Sequence, residues 1–296
     1  MKYQAELVSQ KKDHEFMICF DSDGCVFDTM ELKQKECFTP AFIKHFGLQS
    51  IAKYARETWE FVNLYSATRG GNRFLALDHV LKLLSGRPEV KSRHVALPTL
   101  PELEQWIAEE GAVDTSTLKQ KVAKIGSAEF LQLQAWSDEV NERIHDMVHN
   151  MIPFPGVEDV LKKAKNKADM MVISLAPLET LMREWRENDI SNYFNVIAGQ
   201  EHGLKADILQ TIRSEKKYGN NRMLMIGDAM GDLNAAKRAD ALFFPIIPGK
   251  EEASWITLFN EGLDHFFNDT YAGTYQAELL DEFNKALPVE PVWGHI

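Results

Sequence analysis

Cysteine is scarce, with three in 296 residues: Cys19, Cys25 and Cys37. An odd and sparse set of this kind excludes a disulfide framework and points to reduced thiols, as in a cytoplasmic protein. Positive charge is also in deficit. Thirty-three Lys+Arg against 44 Asp+Glu give a net charge of -11, which excludes a general basic footprint for nucleic acid but leaves room for a local positive pocket. Long apolar runs are missing too. None approaches the ~18 residues that a spanning helix needs. The first fifteen residues carry Lys2, Lys11, Lys12, Asp13 and Glu15 in place of the apolar stretch of a signal peptide. The expectation is a cytoplasmic protein with neither nucleic acid nor membrane as partner.

What is present is ordinary for a folded chain. The composition, 45% hydrophobic and 26% charged, lies near the globular average and argues against a disordered, collagenous or repeat-dominated protein. The length suits one large domain or two smaller ones and can bury a core without metal or disulfide staples.

Four short apolar runs each end at a polar or turn-forming residue. Phe16–Phe20 ends at Asp21, Met170–Ile173 at Ser174, Met223–Ile226 at Gly227-Asp228, and Ala241–Ile247 at Pro248. Unbroken apolar runs of this length suit strands buried on both faces, as in a parallel sheet under helices. Asn195–Ala198 is a weaker fifth. Between them, helical periodicity marks Val157–Lys167, Leu178–Asn188, Leu204–Lys217 and Asp232–Ala239, with Asp232 expected as an N-cap. This alternation predicts an α/β fold with a doubly wound, Rossmann-like parallel sheet.

Residues 29–150 break the alternation. Helix follows helix: Gln34–Phe46, Ile51–Ser66, Arg73–Leu84, Pro101–Glu110, Thr115–Lys124 and Ser127–His149. The simplest organisation is an all-α domain, 29–150, inserted into a core formed by 1–28 and 151–296. Two further helices are expected near Glu251–Phe267 and Tyr271–Ala286 in a C-terminal extension.

In open α/β sheets ligands gather at the carboxyl ends of the strands. That places Asp21, Asp23, Ser174, Asp228 and Asp232 at one end. Residues two apart in extended chain point to the same side, so Asp21 and Asp23 are expected to converge. With Asp228 beside them, the carboxylates would repel unless a cation sat among them. A few oxygen ligands suit Mg²⁺, which keeps water and takes phosphate for the rest of its shell.

Asp21-Ser22-Asp23-Gly24-Cys25-Val26-Phe27-Asp28 after an apolar strand resembles the first motif of the haloacid dehalogenase superfamily. Ser174 resembles the second, Lys205 opening a helix the third, and Gly227-Asp228-Ala229-Met230-Gly231-Asp232 the fourth. The insertion lies where members of the phosphoglycolate phosphatase and β-phosphoglucomutase branch carry an α-helical cap of the C1 type. The resemblance implies a Mg²⁺-dependent phosphatase acting on a small phosphorylated metabolite. Asp21 would be the nucleophile that forms an aspartyl-phosphate, and Asp23 the general acid and base. Ser174 would bind phosphate oxygens and Lys205 would neutralise charge. Mg²⁺ would be held by the Asp21 carboxylate, the Asp23 backbone carbonyl and Asp228, with Asp232 close by. A phosphomutase would share these motifs, and a non-catalytic phosphoacceptor module remains a reading from another class.

Two departures stand out. Cys25 replaces a frequent Thr, and the residues after Ser174 are apolar. In the expected cap, Thr68-Arg69-Gly70-Gly71-Asn72-Arg73 separates two helices. Arginines suit a bidentate grip on phosphate, and a helix opening at Asn72 would turn its N–H groups toward an anion. Arg69, Asn72 and Arg73 are therefore expected on the substrate. The histidines form no metal-ligand pattern, and His145 and His149 read as polar-face residues.

Overall fold

The computed structural model describes residues 2–109, 111–291 and 293. Glu110, the expected end of one helix, lies outside the described residues, as do positions 292 and 294–296 of the expected core. Five strands form one parallel sheet: β1 (Phe16–Phe20), β2 (Ala168–Ile173), β3 (Val196–Ala198), β4 (Met223–Gly227) and β5 (Leu242–Pro245). Their order is β3-β2-β1-β4-β5, an α/β doubly wound arrangement. The weak run near Val196 is a true edge strand. The run from Ala241 gives a shorter strand, Leu242–Pro245, and Pro245 is tolerated because this is the outer strand.

Alternation within the strands explains their unbroken hydrophobicity. Ile18, Phe20, Met170, Val172, Leu224, Ile226 and Phe244 face one side, packed with Val160, Leu161, Trp185, Trp255 and Phe266. Met17, Cys19, Met171, Ile173, Met225 and Phe243 face the other, packed with Ile208, Leu209, Leu233 and Phe283. With helices over both faces, neither set can be polar. The N-terminal helix Lys2–Ser9, which its polar composition concealed, docks through buried Leu7.

The chain divides into two compact units: a sheet unit, Met1–Thr29 with Asn150–Leu287, and a helical unit, Met30–His149 with Pro288–Ile296. The residues from Pro288 group with the helical unit and not with the sheet. The Ala67 N–H donates to the Pro288 carbonyl at 3.1 Å, and Trp293 packs 5.2 Å from the Phe61 ring and under the Arg87 guanidinium. The helical unit has its own aromatic core, in which Trp59 and Trp136 meet at 6.0 Å among Phe42, Phe46 and Phe74. Its first long helix is interrupted by a π-helical stretch, Lys33–Phe38, so the expected Gln34–Phe46 helix is continuous in course but not in hydrogen bonding. Among the described residues, no helix is long and apolar enough to cross a membrane.

One charge cluster in the helical unit makes its stability sensitive to acid. Glu139 accepts from Lys44 at 2.6 Å, His45 Nε2 at 2.7 Å and Arg143 at 2.8 Å, and the Lys44 bond above all pushes its pKa down to about 2. A depressed carboxyl pKa contributes stability that is present above the unfolded value and lost as pH falls toward the folded one. Glu139→Gln is expected to lose about 1–3 kcal/mol at neutral pH. The deficit relative to wild type should shrink as pH drops from about 4.5 toward 2. Denaturant melts at pH 7 and pH 3 check this, and an equal deficit at both would contradict it.

Candidate active site

The sheet reverses its winding at β1. After β3 the chain crosses to β4 on the other side of β1, so the carboxyl ends of β1 and β4 open side by side, where such folds bind ligands. Asp21 follows β1 directly, and its N–H donates to the Ile226 carbonyl of β4 at 2.9 Å. Asp228 follows β4. Asp232 comes from the first turn of the next helix, Met230–Arg238. Carboxylate oxygens of Asp21, Asp228 and Asp232 all lie within 4.8 Å of one another, and all three residues are buried.

Lys205 reaches this cluster from the first turn of the helix Lys205–Lys216. Its Nζ donates to Asp21 Oδ1 at 2.8 Å and to Asp232 Oδ1 at 2.6 Å. Burial alone would lower its pKa, but Asp21 and Asp232 outweigh that and hold the ammonium above its ordinary range. Burial raises the Asp21 pKa well above the usual carboxylate range; Asp232 and Asp228 add to this, while Lys205 opposes it. Three buried carboxylates balanced by one ammonium leave an anionic surplus, and closely spaced hard oxygen donors match a divalent cation such as Mg²⁺. The donor set therefore fits the cation anticipated for this site.

Gly227 makes the cluster sterically possible. A Cβ there would lie 2.5 Å from Asp232 Cβ and Cγ, too close for any side chain. Gly227→Ala is expected to cost about 1–3 kcal/mol through overpacking and to push the Asp232 carboxylate from its place. Thermal melts with and without Mg²⁺ check both effects, and an unchanged Tm would refute the steric account.

One sequence expectation needs correction. Asp232 is not the N-cap, because the helix starts at Met230; it is the third helical residue and accepts back from the Ala229 N–H at 3.2 Å. Its other oxygen is thereby left to Lys205. Asp23 stands two residues past Asp21 and just before the turn Gly24–Val26, and its carboxylate is not one of the three grouped by the cluster. Gly24 takes φ 75°, and the Ser22 carbonyl accepts from Val26 and Phe27 at 3.0 and 3.1 Å. The Asp23 carboxylate instead accepts from the Thr29 hydroxyl. Thr29 was not singled out from the sequence, although it stands just past the first motif with an aspartate at Asp28.

Ser174 lies one residue past β2, buried, with its N–H on the Ala198 carbonyl at 2.9 Å and its Oγ accepting from Ala176 N at 3.2 Å. Cys25 is packed away, and its Sγ donates to the Ile226 carbonyl at 3.6 Å. Burial, reinforced by Asp228, Asp21 and Asp232, pushes its thiol pKa well up, so it supplies no thiolate. In the helical unit Asn72 caps the helix Arg73–Gly86, its Oδ1 accepting from Phe74 N at 2.9 Å. The Arg73 guanidinium is taken up by Ser137 Oγ and Asn141 Oδ1, both at 2.9 Å. Arg69 is buried, with Nη1 on the Leu64 carbonyl at 2.8 Å.

Residues 102–245 match the family model of the haloacid dehalogenase-like hydrolases. The matched segment holds Ser174, Lys205, Asp228 and Asp232, while Asp21 and Asp23 precede it, and the pairing of β1 with β4 brings Asp21 beside Asp228. Solved structures similar to this chain include CbbY from Rhodobacter sphaeroides in complex with phosphate, at 17% identity and TM-score 0.41, covering 77% of this chain and 85% of that one. A haloacid dehalogenase-like family protein from Streptococcus pneumoniae is similar at 14% identity and TM-score 0.43, with coverages of 82% and 90%. A subfamily IA hydrolase of the superfamily from Geobacter sulfurreducens is similar at 13% identity and TM-score 0.41, with coverages of 80% and 89%. No curated protein matches the chain.

Proposed function

We propose that this protein is a Mg²⁺-dependent phosphatase of the haloacid dehalogenase-like kind that releases phosphate from a small phosphorylated metabolite. The observation that carries the reading is the buried cluster of Asp21, Asp228 and Asp232 around Lys205 at the winding reversal of the sheet. A site of this charge has use for both a divalent cation and a phosphate that the cation draws in. The Asp21 and Asp228 carboxylates and the Asp23 backbone carbonyl would hold Mg²⁺, with Asp232 near. When bound, the ion supplies positive charge that offsets the repulsion between an anionic nucleophile and an anionic phosphate.

The residues divide the remaining work. Asp21 attacks phosphorus in line, forming its Oδ–P bond as the bond to the leaving oxygen breaks. Asp23, one oxygen of which is fixed by Thr29, gives its proton to that leaving oxygen. It then takes a proton from the water that cleaves the aspartyl-phosphate, which frees phosphate and restores Asp21. Lys205 keeps its charge beside the transferring group, and Ser174 with the backbone N–H groups after it binds phosphate oxygens. In this reading the inserted helical segment, 29–150, is the cap, and the Arg69–Arg73 loop is its substrate-reading segment. All three spend polar groups within the helical unit, so each must be tested by its own substitution.

A panel of phosphorylated metabolites and p-nitrophenyl phosphate, assayed for released phosphate with Mg²⁺ and with EDTA, tests the reading. Mg²⁺-dependent release is expected; silence across the panel would sink it. Isomerised sugar phosphate without free phosphate, from a hexose 1-phosphate primed with its bisphosphate, would replace phosphatase by phosphomutase.

A further inference from the structure

Ser22 lies between the two aspartates of the first motif and is fully buried. Its carbonyl receives the backbone N–H groups of Val26 and Phe27 and so closes the turn that follows Asp23. Its hydroxyl oxygen accepts the indole N–H of Trp185 at 3.0 Å. Trp185 is also fully buried and stands on the helix Leu178–Glu187, the one that follows Ser174. Its ring meets Phe27 edge-on at 5.3 Å and Phe194 at 4.7 Å. The indole is thus held by neighbouring rings while its single polar atom points at the residue between the aspartates. Packing alone does not call for that bond, since a phenyl ring would satisfy the aromatic contacts. A buried indole N–H without a partner would, however, be costly.

We propose that Trp185 and Ser22 are positioning residues for phosphoryl transfer: the hydrogen bond between them sets where the loop presents Asp21 and Asp23. This rests on the phosphatase reading. In-line attack needs the nucleophile oxygen placed to about 0.5 Å, and the loop is tied to the sheet at Asp21 N and to the helix after Ser174 at Ser22 Oγ. Without the second tie the turn relaxes about the first. The substrate still binds, through groups elsewhere, but the attacking oxygen is out of line.

The test compares wild type, Trp185→Phe, Ser22→Ala and the double variant on p-nitrophenyl phosphate with Mg²⁺, with melting curves in parallel. Each single variant is expected to lose about tenfold to a hundredfold in kcat, with KM within about twofold. The double variant should fall no lower than the worse single one, because both remove the same bond. Losses that multiply in the double variant, a wild-type kcat in both singles, or a change confined to KM would overturn the proposal. If Trp185→Phe does not fold, the kcat and KM of Ser22→Ala decide alone. A wild type silent on every phosphoester overturns the phosphatase reading and this proposal with it; an active wild type with unaltered variants overturns the proposal only.

Discussion

Asp21→Asn is expected to abolish turnover while making the metal-free protein more stable. The amide is nearly isosteric, and its Oδ1 can still accept from Ser22 N and Lys205 Nζ, which bond Asp21 Oδ1 at 2.8 Å each. What is lost is the nucleophilic carboxylate, and knocking out a residue that forms the covalent intermediate costs about four orders of magnitude or more in kcat. What is gained is relief of crowding. Burial, together with Asp232 and Asp228, raises the Asp21 pKa well above the usual carboxylate range. A raised carboxyl pKa means that the ionised form costs stability, increasingly as pH rises from the ordinary carboxyl range through the folded value. Removing that charge therefore raises Tm at neutral pH in EDTA. Activity and stability should move in opposite directions. Residual kcat within about tenfold of wild type would remove Asp21 from the nucleophile role, and a fall in Tm would remove the electrostatic account.

Lys205→Met should lower both quantities. The ammonium is the cation bound directly by Asp21 and Asp232, at 2.8 and 2.6 Å, and breaking a buried pair from one side costs about 3–5 kcal/mol. Losing a charged group aimed at the transferring phosphate costs about 10²–10³ in kcat. The stability loss should have a characteristic pH course. Without Lys205, Asp21 loses the group that opposes its raised pKa, so stability falls further as pH rises from the ordinary carboxyl range. The deficit should be small in acid and large at neutral pH. A divalent cation replaces the missing charge, so Mg²⁺ should recover part of the Tm. For any site a ligand at one hundred times its Kd contributes about 2.7 kcal/mol. Melting curves of wild type and variant from pH 4 to 8, with and without Mg²⁺, measure this. A deficit independent of pH and Mg²⁺ would show that Lys205 serves the fold and not the charge of the site.

Much of this site was legible before any tertiary structure. The five strands announced themselves because each is covered on both faces and so cannot carry polar residues in its interior. The chemistry-bearing residues then fell at strand ends, where the apolar run must stop: Asp21, Ser174 and Asp228 each stand just past a strand. What stayed hidden was set by local turns and long-range contacts. Asp23 reads as the partner of Asp21, but no local pattern shows that its carboxylate accepts from the Thr29 hydroxyl. Asp232 reads as an N-cap, yet the helix opens two residues earlier. Arg73 reads as a ligand for phosphate, yet Ser137 and Asn141, from a distant helix, take its guanidinium. The helix Lys2–Ser9 carries four polar residues in eight, and Leu7 anchors it in the core.

The sequence by itself determined the sheet, its helical insertion and the identity of the charged residues at the strand ends, because burial on two faces and motif order are both written locally. Tertiary structure decided which oxygens meet. The pairing of β1 with β4 brings Asp21 to Asp228, the missing Cβ of Gly227 admits Asp232, and an indole from the helix after Ser174 reaches the residue between the two aspartates. Each of these depends on contacts between segments far apart in the chain, and no local pattern encodes a distance of that kind. The scarcity of positive charge takes on a specific meaning here. A chain with a net charge of -11 buries Lys205 where three carboxylates need it, and leaves the rest of that need to a divalent cation.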